Sequence, residues 1–167
     1  MMQVVLSFAK ILLQVTRPRT VVLGMVTGTG VYRNIQQYPE ATQIPGMLII
    51  RVDSAIYFSN SNYIKERILR CLAVEDAERT GSELPRIQHL IVEMSPVTDI
   101  DTSGIHAFQG LYNSLQKREV QLVLSNPGPI VMEKLHASKL TELIGEDKIF
   151  LSVADAVATF GPKGEEL

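Results

Sequence analysis

Five side chains that could take part in catalysis or phosphate transfer lie close together between positions 99 and 106. They are Asp99, Asp101, Thr102, Ser103 and His106. A carboxylate, a hydroxyl and an imidazole are the components of a hydrolase triad, and two neighbouring carboxylates can act as general acid and base. Either hydroxyl could instead accept a phosphoryl group. The stretch therefore predicts a functional surface without deciding its chemistry.

The spacing of these residues argues against catalysis. Ser103 and His106 are three residues apart on one predicted helix, so their side chains could meet, yet no G-x-S-x-G turn surrounds Ser103. Asp101 is better explained as the N-cap of that helix, where acidic residues are favoured electrostatically. We therefore predict no catalytic residue and no enzyme activity, and a small hydrolase that uses Ser103 is the alternative.

The hydroxyls of Thr102 and Ser103 have two competing roles. Either they cap and solvate the first helical turn, or one of them is a phosphoacceptor. Gly104 follows directly, and we expect it to leave the backbone amides of the helix start open to a phosphate or to a polar group of a partner. A phosphate there would lie against Asp99 and Asp101, so it would change the docking of a partner more than the fold.

The elements on either side of this stretch predict how it is held. Residues 90–92 indicate a buried strand that Pro96 cannot continue. After the stretch, apolar residues recur at helical spacing: Ile105, Phe108, Leu111, Tyr112 and Leu115. The same alternation of strand and helix recurs along the chain, and no repeat of fixed length is visible. The sequence therefore predicts an α/β fold with at least part of its sheet parallel.

The remaining elements follow from the same patterns. Strands are predicted at 20–25, 47–52, 87–93, 120–124 and 149–151, with a short strand or an extended loop at 31–35. Helices are predicted at 60–78, 102–118, 130–136 and 152–160. Asn60 or Asn62 is the predicted cap of the first of these, and Pro129 suits the first position of the third.

Composition and motifs exclude several classes of protein. The 167 residues, 46% hydrophobic and 20% charged, indicate one globular domain with its own core. A net charge of −2 argues against a nucleic-acid partner. The three histidines lack the spacing of zinc ligands, and the turn from Gly28 to Gly30 lacks the third glycine of a dinucleotide loop. We therefore predict no metal and no cofactor, and Cys71 is interpreted as a buried structural thiol.

The first fifteen residues are strongly apolar, with four polar interruptions at Gln3, Ser7, Lys10 and Gln14. This run is shorter than the roughly 20 residues that a spanning helix needs, and no basic region precedes it as in a secretory signal. Two interpretations stay open: an amphipathic helix packed on the domain, or the end of a membrane helix whose earlier part is absent from this sequence. Lys10, Arg17 and Arg19 would suit the cytoplasmic end of such a helix.

Several stretches together resemble one family. Asp101-Thr102-Ser103-Gly104 resembles the D-[ST]-S-G signature of STAS domains, and residues 49–63 resemble the matching stretch of plant sulfate permeases. So do residues 16–20, 31–35, 93–99 and 125–128. The likeness runs from Lys10 to about Pro162. The chain thus resembles the STAS domain of a plant sulfate permease of the SulP family, a fold shared with bacterial anti-sigma-factor antagonists.

The resemblance implies an α/β STAS fold, with a four- to five-stranded mixed sheet and helices packed mainly on one face. It implies a linker helix at 1–18 after a membrane domain that this sequence lacks, a STAS domain at 19–161 and a C-terminal tail at 162–167. Thr102 then lies at the position that is phosphorylated in the bacterial antagonists, where the acceptor is usually serine.

The implied function is regulation of the activity, folding and trafficking of a sulfate/proton symporter, from the cytosolic face of the plasma membrane. Expected partners are the membrane domain of the same transporter, a second protomer, and a cytosolic enzyme of sulfur assimilation or a kinase. Thr102 is the candidate phosphorylation site, and Asp99, Asp101, Ser103 and Gly104 form the expected regulatory surface. The alternatives are a free-standing phospho-switch of the anti-sigma-factor-antagonist type and a nucleotide-binding domain.

Overall fold

The computed structural model describes residues 1–162. Its strands are β1 (Thr20–Val26), β2 (Val31–Asn34), β3 (Ala41–Thr42), β4 (Met47–Val52), β5 (His89–Glu93), β6 (Gln121–Ser125) and β7 (Ile149–Phe150). Its helices are α1 (Met2–Thr16), α2 (Ser61–Arg79), α3 (Thr102–Gln116), α4 (Pro129–Ala137), α5 (Leu140–Ile144) and α6 (Val153–Phe160). A 3₁₀ turn at Glu146–Lys148 precedes β7.

All seven strands belong to one mixed sheet with the order β2-β1-β4-β5-β6-β7, and β3 pairs with β1. Strands β4 to β7 are parallel to one another, whereas β1 is antiparallel to β2, β3 and β4. The predicted α/β fold with a partly parallel sheet is therefore confirmed. The sheet has seven strands rather than the four to five that the resemblance implied, because the short strands β2 and β3 extend it beside β1. Only β3, which is two residues long, was not predicted as a strand from the sequence.

The central strands are buried on both faces, so alternate residues enter two separate cores. Ile50, Val92 and Leu124 lie in the larger core, which also holds the large buried apolar residues of α2, α3, α4 and α5. Ile49, Ile91 and Val123 lie in the smaller core, which α6 covers through Val153 and Ala156. The helices are thus packed mainly on one face, as predicted.

Predicted boundaries agree with the structure to within two residues for the long elements. Two local details differ. Asn60 does precede α2, but its side chain makes no capping bond to that helix. Cys71 is half-buried rather than fully buried, and this partial burial raises the pKa of its thiol.

Helix α1 stands apart from both cores, since none of its residues is buried. Within residues 1–162, no helix is at once long enough and apolar enough to cross a membrane. The expected tail at 162–167 lies outside the described residues except for Pro162.

Candidate functional site at the start of helix α3

The segments that follow β4 and β5 meet at one edge of the sheet, because the carboxyl ends of neighbouring parallel strands lie side by side. Ile56 and Ile100 form a parallel bridge between these segments. The Ile56 amide donates to the Asp99 carbonyl oxygen at 2.9 Å, and the Asp101 amide donates to the Ile56 carbonyl oxygen at 3.0 Å. This bridge fixes the chain immediately before α3.

Asp101 joins the helix start to the neighbouring loop. Its Oδ1 accepts a hydrogen bond from the Gly104 amide at 2.8 Å, which makes it the N-cap of α3 and confirms the capping prediction. Its Oδ2 accepts from the Phe58 amide at 2.8 Å. One carboxylate therefore satisfies two backbone donors from two segments, and this explains the acidic residue without a catalytic role.

Gly104 is buried in the first turn of α3. A Cβ added there would lie 2.5 Å from Ile100 Cγ1 and 2.9 Å from the Ile56 carbonyl oxygen. The glycine therefore lets the helix approach the loop closely. The expectation that it leaves amides open to a ligand is wrong for its own amide, which Asp101 already occupies.

Asp99 forms a polar cluster with side chains from two other elements. Lys134 of α4 contacts Asp99 Oδ1 at 2.5 Å, and the Tyr57 hydroxyl donates to Asp99 Oδ2 at 3.3 Å. The bond from Lys134, helped by the Ile100 amide, holds the pKa of Asp99 below its usual value. The same bond raises the pKa of Lys134, while desolvation and then the Asp99 carboxylate raise the pKa of Tyr57.

Thr102 and His106 face a groove of about 620 Å³ between the start of α3 and α4, and Asp101 and Lys134 line the same groove. Both side chains are exposed, while Ser103 is partly exposed. Within the described residues no hydrogen bond joins Ser103 to His106, and Asp101 contacts neither of them through its carboxylate. The three triad candidates are close in sequence but are not assembled. No group of three or more His, Cys, Asp or Glu side chains in residues 1–162 could hold a metal ion.

Tyr57 and Lys134 are members of this site that the sequence analysis missed. The position of Tyr57 near Asp99 could have been predicted, since the parallel strands β4 and β5 bring the loops after them to one edge of the sheet. Lys134 lies within a helix that was predicted, but nothing in the sequence indicates which side chain of that helix reaches Asp99.

Replacing Lys134 with methionine is expected to raise the pKa of Asp99 towards its ordinary value. The lowered pKa means that Asp99 stabilises the fold above about pH 4, the unfolded value, and that this stabilisation is lost as pH falls through the lower folded pKa. The stability difference between the wild-type protein and the variant should therefore shrink in acid. Carboxyl ¹³C titration of Asp99 and urea unfolding at neutral and acid pH measure both effects.

Lys117→Met is the matched control, because it removes one exposed charge from the far end of α3. It should leave the titration of Asp99 unchanged. An equal pKa of Asp99 in wild-type protein and Lys134→Met would contradict the described contact.

Comparison with known proteins agrees with this geometry. A family model described as the STAS domain matches residues 38–156, which include the bridge, the cap and the groove. The chain belongs to the STAS domain family. It is 82% identical over 160 residues to high affinity sulfate transporter 1 of Stylosanthes hamata, a match that covers 96% of this chain and 24% of that protein. The STAS chain thus spans about a quarter of the length of the curated relatives it matches.

Solved structures show the same STAS architecture. The murine solute carrier 26 family member A9, an anion transporter, is 26% identical, with a TM-score of 0.76 over 92% of this chain and 24% of that one. An anti-sigma factor antagonist from Mycobacterium paratuberculosis is 13% identical, with a TM-score of 0.55 over 84% of this chain and 93% of that one. The second likeness concerns the fold alone, and it confirms the fold resemblance expected from the sequence.

Proposed function

We propose that this STAS domain is the cytosolic regulatory part of a sulfate/proton symporter of the plasma membrane. The observation that carries the proposal is the 82% identity to a high affinity sulfate transporter across nearly the whole chain. Because the chain spans about a quarter of that relative, transport itself belongs to segments outside it. The domain would instead act on the activity, folding and trafficking of the transporter.

The start of α3 is the proposed control surface, with Thr102 as the phosphorylation site and Asp99, Asp101 and Ser103 beside it. The Thr102 side chain is exposed and makes no hydrogen bond within the described residues, so a modification there leaves the contacts of Asp101 and Gly104 intact. A phosphate adds up to about two negative charges next to the Asp99–Lys134 pair. The added charge would change the binding of a partner more than the stability of the fold.

The proposed partners are the membrane domain of the same transporter, a second protomer, and a cytosolic enzyme of sulfur assimilation or a kinase. A role without catalysis is supported by the dispersed triad candidates and by the capping role of Asp101. The anti-sigma-factor-antagonist likeness lies in the fold alone, so a free-standing switch remains the weaker proposal. Translating the transcript upstream of Met1 separates the two: apolar spans support the transporter, and an immediate stop codon supports the free-standing switch.

In the full transporter, Thr102→Ala and Thr102→Asp are expected to lower sulfate uptake by roughly fivefold or more, the lower end of typical coupling between two sites. Both remove the hydroxyl that would accept a phosphate, and neither disturbs a described contact of the fold. Uptake of radiolabelled sulfate in a transport-deficient yeast strain, corrected for the amount of transporter at the cell surface, measures the effect.

Two controls keep this test specific. Thr102→Ser retains a hydroxyl and should preserve most uptake. Thr80→Ala removes an exposed threonine hydroxyl at the C-terminal end of α2, whereas the loop of Tyr57 precedes the N-terminal end, and this variant should also preserve uptake. Circular dichroism of the isolated domain should be unchanged in every variant. Wild-type uptake by both Thr102→Ala and Thr102→Asp would refute the regulatory role.

A further inference from the structure

A cleft of about 1150 Å³ lies between the second half of α1 and the loop that follows β4. Ile11 and Val15 line it on the helix side, and Ala55 and Tyr57 line it on the loop side. Asn60, which is 3% exposed, donates from Nδ2 to the Val15 carbonyl oxygen at 3.2 Å and to the Ala55 carbonyl oxygen at 3.0 Å. One buried amide thus ties the end of α1 to the loop and defines the shape of the cleft.

The charge of this cleft is positive. Lys10, Arg17 and Arg19 line it, and all three side chains are exposed. Its one acidic lining residue is Asp53, whose carboxylate already pairs with Arg51 Nε at 2.6 Å. Among the described residues, no carboxylate lies within 4.0 Å of any of the three cations. They are therefore available to an anion from outside the chain, although the whole protein carries a net charge of −2.

Helix α1 exposes apolar side chains over most of its length, and three of them, Ile11, Leu13 and Val15, line the cleft. Eight large apolar side chains between Val4 and Val15 are exposed, with exposed fractions of 50% to 71%. Lys10, Arg17 and Arg19 lie towards the end of this apolar stretch, next to the folded domain. Exposed apolar helical surface and nearby cations both strengthen binding at the boundary between acyl chains and headgroups, through buried apolar area and through attraction to anionic lipids.

We propose that this cleft binds the anionic headgroup of a membrane phospholipid, with the phosphate held by Lys10, Arg17 and Arg19. The apolar side chains of α1 would contact the acyl region. The hydrogen bonds of Asn60 would hold α1 against the loop, so that the cleft between them lies at the depth of the headgroups. A soluble anion would use the cations but would leave the apolar wall in water. The proposal is independent of the sulfate transport and of the Thr102 modification proposed above.

The test uses the 167-residue protein and sedimentation with two kinds of vesicle, pure phosphatidylcholine and phosphatidylcholine with roughly a third phosphatidylglycerol. Each cation near an anionic surface contributes about fivefold to the binding constant, so three cations should favour the anionic vesicles by roughly a hundredfold. Lys10→Gln/Arg17→Gln/Arg19→Gln should abolish most of this preference. Arg67→Gln/Arg70→Gln/Lys117→Gln removes three exposed charges elsewhere and should retain it.

Amide NMR with a short-chain, water-soluble phosphatidylglycerol locates the bound lipid. Shifts should concentrate at Ser54, Ala55 and Asn60, and equal concentrations of inorganic phosphate or sulfate should produce much smaller ones. Equal binding to neutral and anionic vesicles, equal loss of preference in the two triple variants, shifts confined to other surfaces, or equal shifts with inorganic phosphate would each overturn the proposal.

Discussion

Gly104→Val is expected to destabilise the domain by about 3 kcal/mol, the upper part of the range for overpacking a filled interior. The added Cβ would meet Ile100 Cγ1 at 2.5 Å and the Ile56 carbonyl oxygen at 2.9 Å. The isoleucine side chain could rotate away, but the carbonyl belongs to the bridge that holds the loop in place. The helix start would have to move away from the loop, and the Asp101 contacts would be strained.

Gly110→Ala is the matched control on the same helix. A Cβ at Gly110 meets only the Lys65 side chain, at 3.5 Å, which is an ordinary contact. Since alanine favours the helix over glycine by up to about 1 kcal/mol, Gly110→Ala should leave stability unchanged or raise it. Urea unfolding followed by circular dichroism measures both variants. Equal stability of Gly104→Val and wild-type protein would show that the close approach at Gly104 has no energetic importance.

Asp101→Ala is expected to cost about 2 to 3 kcal/mol. Loss of an N-cap side chain costs typically about 1 kcal/mol and up to 2, and loss of the second hydrogen bond, from the Phe58 amide, adds about 1 kcal/mol. Both bonds are 2.8 Å long and end on one carboxylate. The same urea unfolding assay measures the loss, and hydrogen exchange at the Phe58 and Gly104 amides should speed up.

Ser152→Ala gives the scale for one capping side chain on another helix. Ser152 Oγ accepts from the Asp155 amide at 3.1 Å at the start of α6, and it also donates to the Asp155 carboxylate in an exposed bond of 2.8 Å. Its cost should be about 1 kcal/mol. Asp101→Asn keeps a good N-cap but replaces one acceptor oxygen with an amide group, so we expect an intermediate loss. If Asp101→Ala cost no more than Ser152→Ala, the contact with Phe58 would contribute nothing to stability.

The sequence predicts this fold well wherever burial is continuous. Strand β4 is apolar through most of its length and is 47–52 in both the prediction and the structure. The capping role of Asp101 and the first-turn position of Pro129 also follow from local chemistry, because both concern hydrogen bonds within a few residues. Local rules were sufficient for these features.

The parts that were missed depend on contacts between distant segments. Asp99 and Lys134 are 35 residues apart, and no local pattern indicates their pairing. Gly104 was expected to leave backbone amides open to a ligand, whereas in the structure its lack of a side chain allows close contact with Ile56 and Ile100. Asn60 was placed correctly as the residue before α2, but its side chain forms hydrogen bonds to the loop before that helix and to the end of α1. In each case the tertiary neighbour decides the role.

The bridge between Ile56 and Ile100 has a thermodynamic consequence for regulation. Its two backbone hydrogen bonds make the loop of Tyr57 and the loop of Asp99 one cooperative unit, since neither loop can shift without breaking both. A partner that binds against Tyr57 would therefore also hold the loop of Asp99 in place. By linkage, the free energy that such binding adds to the bridged arrangement equals the free energy that the bridge adds to the binding of the partner.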